Sequence, residues 1–73
     1  MTAVFEKTLV REGEVRSFQI RPAPSAGWES SEADNERAVQ RQLLTDWHRV
    51  ERALARFRRE VAELHRQGWR DAS

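Results

Sequence analysis

A regular row of arginines is the part of this sequence best suited to binding chemistry. Four of them are spaced three, four and three residues apart: Arg49, Arg52, Arg56 and Arg59. On an α-helix this spacing places them in one row, and guanidinium groups bind phosphate or carboxylate oxygens through paired hydrogen bonds. The interpretation that we favour from the sequence is a solvated surface neutralised by ion pairs, because Glu60 and Glu63 lie four residues after Arg56 and Arg59. We name this set the arginine row.

A second candidate surface is the polar side of the strands predicted in the first half of the chain. It carries Gln19 and Arg21, with Ser17, Gln40 and Gln42 beside them. An open antiparallel surface of this kind can receive a peptide or a single strand of nucleic acid. Platforms for single-stranded nucleic acid usually present aromatic side chains, whereas the aromatic side chains here are predicted to point inward.

The sequence contains no pattern typical of catalysis or of metal binding. His48 and His65 are 17 positions apart, so a straight helix would separate them by roughly 25 Å. The glycines at positions 13, 27 and 68 are isolated and form no phosphate-binding loop. The acidic residues are predicted in turns or on solvent-facing surfaces rather than in a desolvated pocket. We therefore predict a protein that is not an enzyme and that uses no metal ion, cofactor or small-molecule substrate.

Length and composition limit the class of protein. A chain of 73 residues makes one domain, predicted here to span residues 1–73, and its net charge of +1 does not by itself indicate nucleic acid. The absence of cysteine excludes disulfides and thiolate chemistry and favours the cytoplasm. The N-terminal residues do not resemble a signal peptide, and no apolar run approaches the roughly 20 residues of a membrane span. We expect a cytoplasmic protein without membrane association.

The arginine row requires a helix, and the apolar residues predict one. Apolar side chains recur every three or four positions at Leu43, Trp47, Val50, Leu54, Phe57, Val61 and Leu64. This period is typical of an amphipathic helix, which we place at about residues 46–67. Thr45 or Asp46 is suited to the N-cap, and Gly68 is suited to end the helix.

The N-terminal third predicts a β-hairpin. Two runs rich in β-branched and aromatic residues flank a two-residue loop at Glu12 and Gly13. With this loop the register pairs Leu9 with Arg16, Lys7 with Phe18, and Phe5 with Ile20. The apolar residues then gather on one side of the hairpin, and a slip by one residue would scatter them.

Residues 28–44 allow two interpretations. Local propensity is compatible with the first half of one long helix, capped by Ser30 or Ser31. A second hairpin is favoured because the amphipathic pattern does not extend backwards from Val39. This hairpin turns at residues 34–35 and pairs Ser30 with Val39 and Trp28 with Arg41.

The predicted fold is therefore α+β: an antiparallel β-meander of four strands over about residues 3–44, with one long C-terminal amphipathic helix packed on one face. The expected core is Phe5, Leu9, Phe18, Ile20, Trp28, Val39, Leu43, Trp47, Val50, Leu54, Phe57, Val61 and Leu64. A helix of about 22 residues is roughly 33 Å long and exceeds a strand of about 17–20 Å. We expect its C-terminal end to overhang the sheet.

The overhanging end is the predicted partner interface. It consists of Val61, Leu64, His65 and Trp69. A tryptophan beside an exposed apolar helix end is a good interface anchor, while the alternative is that Trp69 folds back as a cap on its own chain.

The junction between sheet and helix resembles that of the positive-cofactor and Whirly type of single-stranded-DNA-binding proteins. The residues that carry the resemblance are Leu44, Thr45, Asp46 and Trp47, leading into Val50 and Leu54. The resemblance implies a four-stranded sheet followed by a helix, with helices that dimerise and sheets that bind DNA. Residues 46–54 also resemble a segment of small proteobacterial proteins, which implies no function.

Taken together, these features predict a small cytoplasmic, non-enzymatic interaction module with a regulatory or scaffolding role. We expect it to form a homodimer through its C-terminal helix. The alternative is a single-stranded nucleic-acid-binding protein that uses the arginine row or the sheet surface around Gln19 and Arg21.

Overall fold

The computed structural model describes residues 3–72, and it forms a five-stranded antiparallel sheet with one helix across one face. The elements in chain order are β1 (Phe5–Arg11), β2 (Glu14–Pro22), β3 (Trp28–Asp34), β4 (Arg37–Leu44), α1 (Trp47–Arg66) and β5 (Arg70–Asp71). The spatial order of the strands is β4-β3-β2-β1-β5. The predicted α+β meander with a C-terminal helix is confirmed, and a fifth, two-residue strand is added to the four expected ones.

The first hairpin has the predicted register. Leu9 lies opposite Arg16, and Phe5 lies opposite Ile20. Glu12 and Gly13 have φ angles of 50° and 82°, as a two-residue turn with the twist of the flanking strands requires. The apolar side chains of this hairpin therefore face α1.

The second hairpin exists, which excludes the long-helix alternative, but its predicted register is wrong. The turn lies at residues 35–36, one position later than expected, with Asp34 opposite Arg37. A β-bulge then shifts the register between Glu32 and Ala33. As a result Ser30 lies opposite Gln42 rather than opposite Val39.

The bulge reverses which residues of β4 face the helix. Side chains alternate with a period of two along a strand, so one extra residue exchanges the two faces beyond it. Val39 and Leu43, both predicted in the core, are 64% and 59% exposed. Leu44 is buried in their place.

Helix α1 is close to its predicted bounds. The N-cap is Asp46, whose carboxylate accepts a hydrogen bond of 2.9 Å from the backbone N–H of Arg49. Trp47, the first helical residue, was expected in the core but is 49% exposed. It lies above the edge of the sheet, where no strand beyond β4 is available in the described chain to cover it, and contacts Trp28 edge to face at 5.4 Å between ring centroids.

The expected overhang of the helix end is wrong. α1 begins after the edge strand β4 and ends before β5, so it crosses the whole sheet rather than running along one strand. Its 20 residues span about 30 Å, whereas five strands at about 4.8 Å separation span about 19 Å, which a diagonal path accommodates. Val61, Leu64 and Trp69 are therefore buried in the chain's own core, each at most 7% exposed.

The chain reverses direction tightly after the helix. Gly68 has a φ of 96°, and its N–H donates to the carbonyl of His65. The N–H of Trp69 donates to the carbonyl of Leu64 at 2.9 Å, which completes a Schellman motif. This turn directs Trp69 onto the core and starts β5, where Arg70 lies opposite Val10.

Phe57 lies at the centre of the core. It is fully buried, and its ring contacts Phe18 and Phe5 with centroid distances of 5.2 Å and 6.1 Å. The buried apolar residues around it come from all layers of the fold: Leu9, Phe18, Ile20, Leu44, Val50, Ala53, Val61, Leu64 and Trp69.

Candidate functional site

A groove between α1 and β4 brings the arginine row together. Its cavity volume is about 270 Å³. The residues that line it are Gln42, Leu44, Arg49, Arg52, Ala53, Arg56 and Arg59. The lining contains four arginines and no carboxylate. We name it the basic groove.

The ion pairs expected to neutralise the arginine row do not form. Glu63 pairs with Arg66 instead, whose Nε lies 3.0 Å from the carboxylate, and this lowers the pKa of Glu63. Arg49 pairs with the N-cap Asp46 at 3.4 Å. Within residues 3–72 no ion pair includes Arg52, Arg56 or Arg59. Three guanidinium groups therefore remain without a carboxylate partner.

Arg56 packs against the core, and its charge also acts on the nearby carboxyl group of Glu32. Its guanidinium carbon lies 5.2 Å from the centroid of the Phe57 ring, a cation–π distance. Its Nε is buried and makes no hydrogen bond to any residue that the structure describes. The Arg56 side chain therefore packs on a buried aromatic ring.

An exposed aromatic side chain lies at the helix N-terminus, beside the groove. Trp47 precedes the groove residue Arg49 by two positions and is half-exposed. Trp47 contacts the ring of Trp28. Trp28 lies opposite Leu44 in the sheet, and Leu44 lines the groove. Trp47 does not itself line the groove, but its half-exposed indole lies near the groove end at Leu44 through its contact with Trp28.

Two carboxyl groups meet where the helix passes over β3. Burial raises the pKa of Glu32, and a hydrogen bond with Glu60 raises it further, while Arg56 and Arg16 act in the opposite direction. The carboxyl group of Glu32, between sheet and helix, therefore keeps its proton to a higher pH than an ordinary glutamate does.

Replacing Glu32 by Gln should flatten the pH dependence of stability. A raised pKa means that the folded chain binds this proton more tightly than the unfolded chain, so stability falls as pH rises from 4.5 through the raised pKa. Glu32→Gln mimics the protonated form, and we expect it to be more stable than wild type at pH 7 and equal to it near pH 4. Urea unfolding between pH 4 and 7.5, followed by circular dichroism, measures this difference.

The control is Glu29→Gln, three positions earlier on the same strand and therefore on the opposite face of the sheet. This variant should keep the wild-type pH profile. Equal profiles for wild type and Glu32→Gln would contradict the raised pKa of Glu32.

The open side of the sheet carries the other predicted nucleic-acid residues. Gln19 and Arg21 alternate with the buried Phe18 and Ile20, so they lie on the side away from α1. Gln19 donates to Glu6 at 3.4 Å, and Arg21 lies 3.8 Å from the same carboxylate. The structure therefore separates them from the arginine row by the thickness of the sheet.

The residues predicted as a partner interface have roles inside the chain. Val61, Leu64 and Trp69 are core residues. His65 is exposed, and its Nε2 lies 2.9 Å from Asp71, which Lys7 also approaches at 3.0 Å. Hydrogen bonds from His65 and Lys7 lower the pKa of Asp71. These polar contacts fasten β5 to the helix and to β1.

Sequence reasoning identified the arginines but not the surface opposite them. Gln40 and Gln42 alternate on β4, which was a visible sign of a polar strand face, but the predicted register turned that face away from the helix. Trp47 was assigned to the core because it continues the apolar period of the helix. In the part of the chain that the structure describes, no three His, Asp or Glu side chains are grouped closely enough to hold a metal ion.

Comparison with protein-family models, with curated proteins and with solved structures finds no match to this chain. No helix within residues 3–72 is long and apolar enough to cross a membrane. The fold and the groove together define the structural class of this protein. It is an antiparallel β-meander with one helix packed on one face and a basic groove along the edge strand β4.

Proposed function

We propose that this chain is a non-enzymatic interaction module that binds an anionic partner in the basic groove. The observation that carries the proposal is the lining of that groove by four arginines, three of which take part in no ion pair within residues 3–72. Guanidinium groups form their strongest hydrogen bonds with carboxylate and phosphate oxygens.

The arrangement of the arginines favours a ligand over simple solvation. Other charged residues of α1 do form ion pairs, as Arg66 does with Glu63. Arg56 is instead fixed on the Phe57 ring with its Nε buried. A ligand anion therefore meets groups that are partly ordered, which lowers the entropic cost of binding.

The apolar residues expected to form a homodimer interface are not available for one. The apolar side chains expected to form it, Val61, Leu64 and Trp69, are covered by the chain's own sheet. Association of two copies through α1 would have to use the polar side of the helix, where arginines are abundant. We therefore rest the interaction role on the basic groove and not on a helix-mediated dimer.

Binding of single-stranded nucleic acid is the second candidate function. It is favoured by the half-exposed Trp47 beside the arginine row, because grooves for single strands combine basic side chains with stacking aromatics. The resemblance of residues 43–57 to the positive-cofactor and Whirly type is consistent with it. Phosphates are also anions, so the same groove serves both candidates.

The test uses the double variant Arg52→Gln/Arg59→Gln. We expect it to weaken binding of the preferred anion at least about tenfold, because two charge-assisted contacts are removed. The probes are fluorescein-labelled decaglutamate and a fluorescein-labelled 12-nucleotide oligo-dT, titrated by fluorescence polarisation at about 50 mM salt, where electrostatic affinity is greatest.

The matched control is Arg58→Gln/Arg70→Gln, which removes the same charge from two exposed arginines outside the groove. It should reduce affinity by less than about threefold. Equal losses in the two variants would assign binding to overall charge, and no binding of either probe by wild type would refute the proposed function.

A further inference from the structure

The edge of the sheet beside the basic groove is open. β4 is the outermost strand on its side, and no other strand of the described chain pairs with its outer edge. Seven of its eight residues are exposed. Its outward backbone N–H and C=O groups are therefore available to another strand.

The protection of this edge consists of one bulge near the start of β4 and of two arginines, Arg37 and Arg41. Bulges and charged side chains commonly prevent unwanted pairing at a sheet edge. The bulge in β4 lies near its start, after Arg37. From Gln40 to Leu44 the pairing with β3 continues without a further register shift. We name residues 40–44 the edge segment.

The charged side chains of β4 and of the groove beside the edge segment are all positive. β4 carries Arg37 and Arg41 and no acidic residue. On its helix side, Gln42 and Leu44 form the wall of the basic groove opposite the arginine row. A strand added to this edge would lie about 4.8 Å from β4, with every second side chain pointing to the side of the arginines.

We infer that the edge segment accepts an extended segment of another protein, added as a sixth strand, in which acidic residues alternate with apolar ones. This inference rests on the proposed function and names its partner class. The acidic side chains meet the arginine row, and the apolar ones extend the open side of the sheet next to Leu43, which is otherwise exposed.

The dimensions agree with this occupant. From Arg49 to Arg59 the helix rises about 15 Å, at 1.5 Å per residue. A five-residue strand spans about 17 Å and presents three side chains on one side. Because α1 crosses the sheet at an angle to β4, the acidic residues nearest Gln42 and Leu44 are the ones that meet the arginine row.

The other occupants fit less well. A second copy of the chain paired edge to edge would bring a second arginine row beside the first, and like charges repel. A nucleic acid could use the arginines but has no strand backbone to pair with the edge segment. Both alternatives are distinguishable outcomes of the experiment below.

The experiment compares two fluorescein-labelled peptides of the same composition. One has the alternating sequence Asp-Val-Glu-Val-Asp-Val-Glu, and the other has its acidic residues clustered. We expect the alternating peptide to bind at least about tenfold more tightly. Because the amides of a strand point alternately to its two edges, two N-methylated versions of the alternating peptide, methylated in opposite phases, should differ. The affinity of one methylated peptide should fall about tenfold or more, and the affinity of the other should equal that of the unmethylated peptide.

Each contrary result has its own meaning. If both methylated peptides bind as well as their parent, strand addition is refuted while the basic groove remains an anion site. If oligo-dT binds and no peptide does, the partner is a nucleic acid and the inference fails. If sedimentation shows twice 8.6 kDa and the amides of β4 are protected from exchange without peptide, a second copy occupies the edge. If neither anion binds, the proposed function itself fails.

Discussion

Replacing Trp69 by Ala should lower the free energy of unfolding by about 3–5 kcal/mol, as large-to-small changes of buried aromatic residues do. Trp69 is 6% exposed, and its ring receives the Arg11 guanidinium at 5.1 Å. Arg11 in turn donates to the carbonyl of Gln67 at 2.9 Å, so the indole joins the helix end to β1. Urea unfolding followed by far-ultraviolet circular dichroism measures the loss.

The matched control is Trp47→Ala, because Trp47 is half-exposed at the opposite end of the helix. We expect it to cost about 1 kcal/mol, in line with the smaller area that it buries. If Trp69→Ala were no more destabilising than Trp47→Ala and instead changed the sedimentation of the protein, Trp69 would belong to an interface between chains.

Replacing Phe57 by Ala should have an effect of similar or greater size. The ring is fully buried between Phe18 and Phe5, so its removal leaves a cavity in the centre of the core, with an expected cost of about 3–5 kcal/mol. A hydrophobic core in a domain of this size rarely supplies more than about 3–5 kcal/mol in total. We therefore expect Phe57→Ala to be largely unfolded at 25 °C, as collapse of amide dispersion in a proton–nitrogen NMR spectrum would show.

Phe57→Leu is the control for this variant. It keeps an apolar side chain of considerable volume and should cost about 1.5 kcal/mol, leaving a folded spectrum. A well-dispersed spectrum for Phe57→Ala would mean that the neighbouring side chains collapse into the cavity, and that the core is less tightly packed than the ring contacts indicate.

The first hairpin shows which part of the fold the sequence determines locally. Its register follows from a two-residue loop at Glu12 and Gly13 and from side-chain alternation, and both act over a few positions. The bounds of α1 are likewise close to prediction because the capping residue Asp46 and the apolar period are local signals. Such features need no knowledge of the rest of the chain.

The register of the second hairpin could not be predicted from local sequence signals. No residue type in β4 predicts the bulge. That one extra position nevertheless leaves Val39 and Leu43 exposed and Leu44 buried. The arginine row could be predicted from its spacing, but the surface it faces depends on the bulge and on the diagonal path of α1. The burial of Trp69 depends in turn on pairing between β5 and β1, about 60 residues earlier in the chain.

This last pairing also fixes the order of events while the chain is synthesised. The outer edge of β1 has no partner until residues 70–71 are available, although β1 and β2 can already form their hairpin. At about 5–20 residues per second, the ribosome needs roughly 3–12 s to produce the intervening chain. During that interval the outer edge of β1 has no strand partner, and the arrival of β5 covers it at Leu9 and Val10.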